Sequence, residues 1–129
     1  MRKKLISIFL SILTLTSCTS NGSSAIQNVN ADEFLSKISS ANVTIIDVRT
    51  AEEFNQGHVK GAINLSVELG QLEAELNNLD KSAQYLLYCR SGRRATIAAE
   101  KMADAGFTSI VNLSSGGFVE LANRGAPTE

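Results

Sequence analysis

The sequence predicts an α/β protein whose sheet is largely parallel and covered by helices on both faces. Two observations carry this reading. Short apolar runs recur as VTIID (43–47), QYLLY (84–88) and IVNL (110–113), and between them lie segments with apolar residues at helical spacing, several opened by a capping signal. Runs that are apolar on both sides suit strands shielded on both faces, and strands alternating with helices give parallel neighbours joined by crossovers. With 129 residues, 43% hydrophobic and a single proline, the chain suffices for one core and not for two.

The first segment, MRKKLISIFLSILTLTSC, has a cationic start, an apolar run from Leu5 to Leu15 and small residues before Cys18, the layout of a secretory signal. The apolar run is short of the roughly 20 residues that a spanning helix needs. Leu15-Thr16-Ser17-Cys18 resembles the bacterial lipobox, in which the cysteine becomes the first mature residue and carries lipid. The resemblance implies a signal peptide over 1–17, a lipidated Cys18 and an extracytoplasmic place in the cell envelope, facing the periplasm in a Gram-negative cell. At about 0.8 kcal/mol per buried methylene, several acyl chains hold a protein to a membrane that it does not span. The alternative is an ordinary secretory cut nearby, leaving Cys18 free or removed. The Ser-, Asn- and Gly-rich stretch that follows reads as a tether, giving a lipidated cysteine and tether over 18–27 and a folded domain over 28–129.

Asn30 with Glu33 three residues on reads as a capping box, opening a helix whose inner face is Phe34, Leu35 and Ile38. Val43–Asp47 is the first buried strand. Thr50 and Glu53 repeat the capping pattern for a short helix that stops at Gly57, and Ala62–Leu65 is the next strand candidate. Leu69, Leu72, Leu76 and Leu79 predict an amphipathic helix over 68–80, with all four leucines packed in the core. Gln84–Tyr88 is a strand. A helix follows from about Gly92 to Ala105, with Ala95, Ala98, Ala99 and Met102 inward and Gly106 ending it. Ile110–Leu113 is the last strand, and Gly116-Gly117 leads into a terminal helix.

Charge points to the ligand. Arg2, Lys3 and Lys4 are three of the twelve basic residues, which leaves nine against thirteen acidic ones, a balance that argues against nucleic acid. Three of those nine, Arg90, Arg93 and Arg94, crowd beside Cys89, as a small anion would require. Ligands of parallel sheets bind beyond the C-terminal strand ends, where a loop entering a helix presents its N–H groups, and Cys89 has this position. In Cys89-Arg90-Ser91-Gly92-Arg93-Arg94, Gly92 permits a tight curl that aims several N–H groups inward, a setting that favours a thiolate. With Cys18 lipidated, Cys89 has no disulfide partner in the chain, so it is either an inert buried side chain or a reactive one; burying three guanidinium groups around an inert thiol would be costly.

These residues resemble the rhodanese domain of sulfurtransferases, from near Val29 to Pro127. The family's Cys-Arg-x-Gly-x-Arg loop stands at Cys89 to Arg94, its upstream signature at Asp47-Val48-Arg49, Glu52-Glu53-Phe54 and Gly57 to Leu65, and its downstream glycines at Gly116-Gly117-Phe118. The resemblance implies a three-layer α/β/α fold on a mainly parallel five-stranded sheet. It also implies that Cys89 is the nucleophile, taking the outer sulfur of thiosulfate or a similar anionic donor as a persulfide and passing it to cyanide, a thiol or a thioredoxin-like acceptor. Arg90, Ser91, Gly92, Arg93 and Arg94 would form the substrate loop, with Arg90 and Arg93 drawing the donor and Arg94 fixing the loop and adding positive potential. Phosphatases of this fold have a longer loop with its arginine one position later, where this chain has Ala95. Members preferring mercaptopyruvate tend to have glycine where Arg90 stands. A proline and a tryptophan common in the family are replaced by Ser66 and Leu121.

Asp47 and Arg49 are expected to brace loops, and His58 to belong to a structural turn rather than a Cys–His dyad. One histidine and one unlipidated cysteine make no metal cluster, and no cofactor is expected. Two rivals stay open: a thiol phosphatase or arsenate reductase, and a persulfide carrier or sulfur sensor without thiosulfate turnover.

Overall fold

The computed structural model describes residues 24–129. The signal segment, Cys18 and the start of the tether lie outside the described residues. In order come β1 (Ile26–Val29), α1 (Ala31–Ile38), β2 (Val43–Asp47), α2 (Ala51–Asn55), β3 (Ile63–Asn64), α3 (Gln71–Glu75), β4 (Gln84–Tyr88), α4 (Arg93–Asp104), β5 (Ser109–Leu113) and α5 (Phe118–Asn123). The sheet runs β1-β5-β4-β2-β3 and every neighbouring pair is parallel, which places β4 at its centre.

Alternation along the strands sorts the core into two layers. Leu86 and Tyr88 of β4, with Val111 and Leu113 of β5, pack against Phe34 of α1 and Leu121 of α5. Tyr85, Leu87 and Cys89, with Ile110, face the other way, onto Leu72 of α3 and the alanine face and Met102 of α4. Both faces of the sheet are therefore covered. Leu121 is wholly buried where the family often has tryptophan, and Ser66 is buried with its Oγ accepting the Leu69 N–H at 3.3 Å.

Capping chemistry sets several helix ends as predicted. Asn30 Oδ1 accepts the Glu33 N–H at 3.0 Å while Glu33 Oε2 accepts the Asn30 N–H at 2.9 Å. Thr50 Oγ1 accepts the Glu53 N–H at 3.3 Å. At the end of α4 the Phe107 N–H bonds the Met102 carbonyl and the Gly106 N–H bonds that of Ala103, so the chain turns at Gly106.

Two elements depart from expectation. Ile26 and Gln27 belong to edge strand β1 rather than to the tether: their register against Ile110 and Val111 gives otherwise unpaired β5 groups a partner. The helix expected over 68–80 shrinks to Gln71–Glu75, because Gly70 takes φ +69° and the turns after Glu75 tighten to bonds such as Asn78 N–H to Glu75 O. Leu72, Leu76 and Leu79 still pack inward, but Leu69, ahead of that break, is 67% exposed.

Candidate active site

Cys89 follows the central strand directly, and the turns after β2 and β5 close on it from either side. The Val48 N–H bonds the Tyr88 carbonyl at 3.1 Å, and the Phe118 N–H bonds the Cys89 carbonyl at 3.0 Å. Gly92, at φ +95°, is the residue that lets the loop curl into α4; a Cβ there would strike the Ser114 carbonyl. Gly117 is extended, and its lack of a side chain is what admits the carbonyls of Cys89 and Arg90. The curl brings the Gly92 N–H to 3.1 Å from Cys89 Sγ. Cys89 is 0% exposed, so the thiol lies recessed beneath its own loop.

The three arginines around it have different surroundings. Arg94 donates to both oxygens of Glu53, at 2.7 and 3.0 Å, and lies 3.5 Å from Glu68. This two-pronged pair ties the start of α4 to α2, and the Arg94 hydrogen bond, working against partial burial, holds the Glu53 carboxyl down at about 2. Arg94 thus joins the start of α4 to α2, and the Glu53 and Glu68 carboxylates lie beside its charge. Arg90 and Arg93 are exposed and have no acidic side chain within ion-pair distance among the described residues. Arg90 borders a cavity of about 330 Å³ with Arg49, Glu53, Gln56, Phe118 and Val119. Arg93 borders another, of about 280 Å³, with Val67, Glu68, Ile97 and Lys101. Cys89 lines neither, and Ser91 is exposed at the loop between them.

Asp47 and Arg49 brace the floor. Arg49 Nε and one terminal nitrogen grip the Asp47 carboxylate at 2.7–3.0 Å, and the same terminal nitrogen donates to the Gly57 carbonyl at 2.7 Å. Tyr88, which sequence reasoning passed over, completes this network: its hydroxyl donates to Asp47 Oδ2 at 2.7 Å and accepts the Val59 N–H at 3.0 Å. Burial and then the Asp47 charge push its phenol well above the usual range. The available signal was a tyrosine ending an otherwise apolar strand, since a buried phenol needs a partner. The Arg49 guanidinium also lies 4.5 Å over the Phe118 ring, joining the β2 turn to the start of α5.

His58 stands apart from the sulfur. Its ring stacks on Phe54 at 3.6 Å, its Nδ1 bonds the Phe54 carbonyl at 2.9 Å and its Nε2 is 3.5 Å from Glu129, a turn-holding role. No group of three or more potential metal ligands occurs among the described residues.

The Rhodanese-like domain family matches residues 30–124. A Bacillus subtilis protein named for a proposed sulfur-carrier role, YrkF, is 31% identical over 99 residues; these are 76% of this chain and 52% of that protein, so the chain spans about half its length. Thiosulfate sulfurtransferase 16, a chloroplast protein of Arabidopsis thaliana, is 35% identical over 94 residues, 65% of this chain and 78% of that one. In shape, the rhodanese-like domain of the Anabaena protein Alr3790, solved by NMR, matches with a TM-score of 0.70 at 27% identity, covering 79% of this chain and 77% of that one.

Proposed function

The chain belongs to the rhodanese-like domain family, and from that premise we propose that it is a sulfurtransferase working through a persulfide on Cys89, with thiosulfate or a similar anion as donor. The observation that carries the reading is the Gly92 N–H set 3.1 Å from Cys89 Sγ inside a loop opening into a helix, an arrangement that stabilises negative charge on sulfur. The Cys89 thiolate attacks the outer sulfur of thiosulfate. A new S–S bond forms, the old one breaks, and sulfite leaves with the bonding pair. Cyanide, a small thiol or a thioredoxin-like protein then attacks the terminal sulfur, and the thiolate returns. Arg90, exposed and without an acidic partner among the described residues, draws the dianion toward the loop. Arg94, held by Glu53, is not free to clasp a phosphate, which disfavours the phosphatase reading.

We propose also that the chain is exported and anchored to a membrane through lipid on Cys18, a reading that rests on the lipobox-like Leu15 to Cys18 alone.

The test of the chemistry uses residues 19–129, which omit the lipidated cysteine, mixed with thiosulfate and cyanide, with Cys89→Ser as control. Thiocyanate, and one added sulfur on the intact protein by mass spectrometry, are expected from the parent and absent from the variant. No added sulfur on Cys89 would end the sulfurtransferase reading, whereas a persulfide without turnover would turn it into a carrier. For the anchor, Cys18→Ala in the full chain should release the protein from the membrane fraction or leave it misprocessed, with its signal segment uncut; membrane association and processing both unchanged would refute it.

A further inference from the structure

Asn112 is fully buried in β5 among Ile110, Val111 and Leu113. An amide in such a place destabilises the core unless its polar atoms are paired, yet its Oδ1 has no partner among the described residues. Its Nδ2 is well used: it donates to Asn28 Oδ1 of β1 at 2.9 Å and to Thr96 Oγ1 of α4 at 3.0 Å. Thr96 in turn donates its hydroxyl proton to the Gly92 carbonyl at 2.8 Å, and that carbonyl also accepts the Thr96 N–H at 3.0 Å. The relay ends on the peptide joining Gly92 to Arg93, at the start of α4.

The C=O and N–H of a trans peptide point in opposite directions, and no peptide among the described residues is cis. With the Gly92 carbonyl held along α4, the Arg93 N–H is turned out of the helix start, the end at which the Gly92 N–H already meets Cys89 Sγ. It is one of the first N–H groups of the helix, which no helical carbonyl can satisfy. A carbonyl that accepts two hydrogen bonds polarises the N–H of its own peptide, and a polarised N–H is a better donor to an anion. We propose that Asn112 and Thr96 are positioning residues of the sulfur-carrying loop: together they orient and polarise the Gly92–Arg93 peptide so that its N–H holds the anionic donor. The proposal rests on the reading of this loop as the site of such a donor. It also gives the buried amide a task that an apolar side chain at this position could not perform.

Thr96→Val removes the hydroxyl and keeps the shape; Asn112→Leu removes the amide. In the Cys89→Ser chain, which cannot transfer sulfur, calorimetry should show the thiosulfate dissociation constant rising about three- to tenfold with Thr96→Val and less with Asn112→Leu. Thr96→Ser should restore it. Asn112→Leu should add nothing on top of Thr96→Val, because the amide acts only through the hydroxyl. With Cys89 present, KM for thiosulfate should rise while kcat holds; a merely structural loss would lower the melting temperature and the active fraction and leave KM alone. A Cys89→Ser parent that binds no thiosulfate, equal dissociation constants for parent and Thr96→Val, or additive losses in the double variant would each overturn the proposal. Binding is read without turnover, so weakened binding beside an inert Cys89 chain would uphold this inference and sink the sulfurtransferase reading. Normal turnover with unchanged binding would do the reverse.

Discussion

The Tyr88 hydroxyl serves two buried groups at once, the Asp47 carboxylate and the Val59 N–H. Tyr88→Phe removes it and keeps the ring between Phe34 and Phe118. Asp47 retains Arg49, but the Val59 N–H, itself buried, is left without an acceptor. Urea unfolding should show a loss of about 1–3 kcal/mol. A loss within experimental error would mean that water replaces the phenol. At this scale sequence brought out Cys89 and the loop around it, since Cys89, Gly92 and the arginines are contiguous. It did not show Tyr88, Thr96 or Asn112, whose roles depend on partners 41, 4 and 16 residues away; of these, the Thr96 bond to Gly92 is local but is one that any helical threonine can make.

Between elements, the decisive contact is Arg94 of α4 with Glu53 of α2. The Glu53 carboxyl titrates at about 2, below its ordinary 4.5. The pair therefore contributes its full stability above pH about 4.5 and loses it as the pH falls through about 2. Glu53 is partly exposed, so solvent screening limits the contribution to about 1 kcal/mol. Glu53→Gln should cost that much at pH 7, with the gap to the parent narrowing between pH 4.5 and 2 in urea titrations; a gap that does not change with pH would show that the bidentate contact is not held in solution. The elements themselves were legible where local signals agreed. β2 and β4 have the bounds read from their apolar runs, and α1 and α2 start at their capping residues. β1 was hidden because its Gln27 and Asn28 face solvent and its stability comes from β5, and α3 was overlong because leucine spacing persists through turns that Gly70 and tight i+3 bonds interrupt.

For the whole molecule, the strand order puts Cys89 at the end of the central strand, with a turn from β2 on one side and one from β5 on the other. Alternation of strand and helix made the parallel sheet readable, and hence the end of it at which a ligand binds. Which loops meet there depends on strand order, which no local pattern encodes. Complete burial of the thiol sets a size threshold for every reagent that reaches it. In the native protein a compact alkylating agent should modify Cys89 much faster than a bulky aromatic disulfide, and the ratio should collapse in urea; equal native rates would contradict the recessed geometry. The same threshold applies to another copy of the chain. A disulfide requires sulfurs about 2.05 Å apart, and two sulfurs each roofed by their own loop cannot approach so closely without unfolding it. On the proposed chemistry the fold works as a sieve, open to sulfur on a slender carrier and closed to cross-linking, so that Cys89, the one cysteine among the described residues, need not become a dimer.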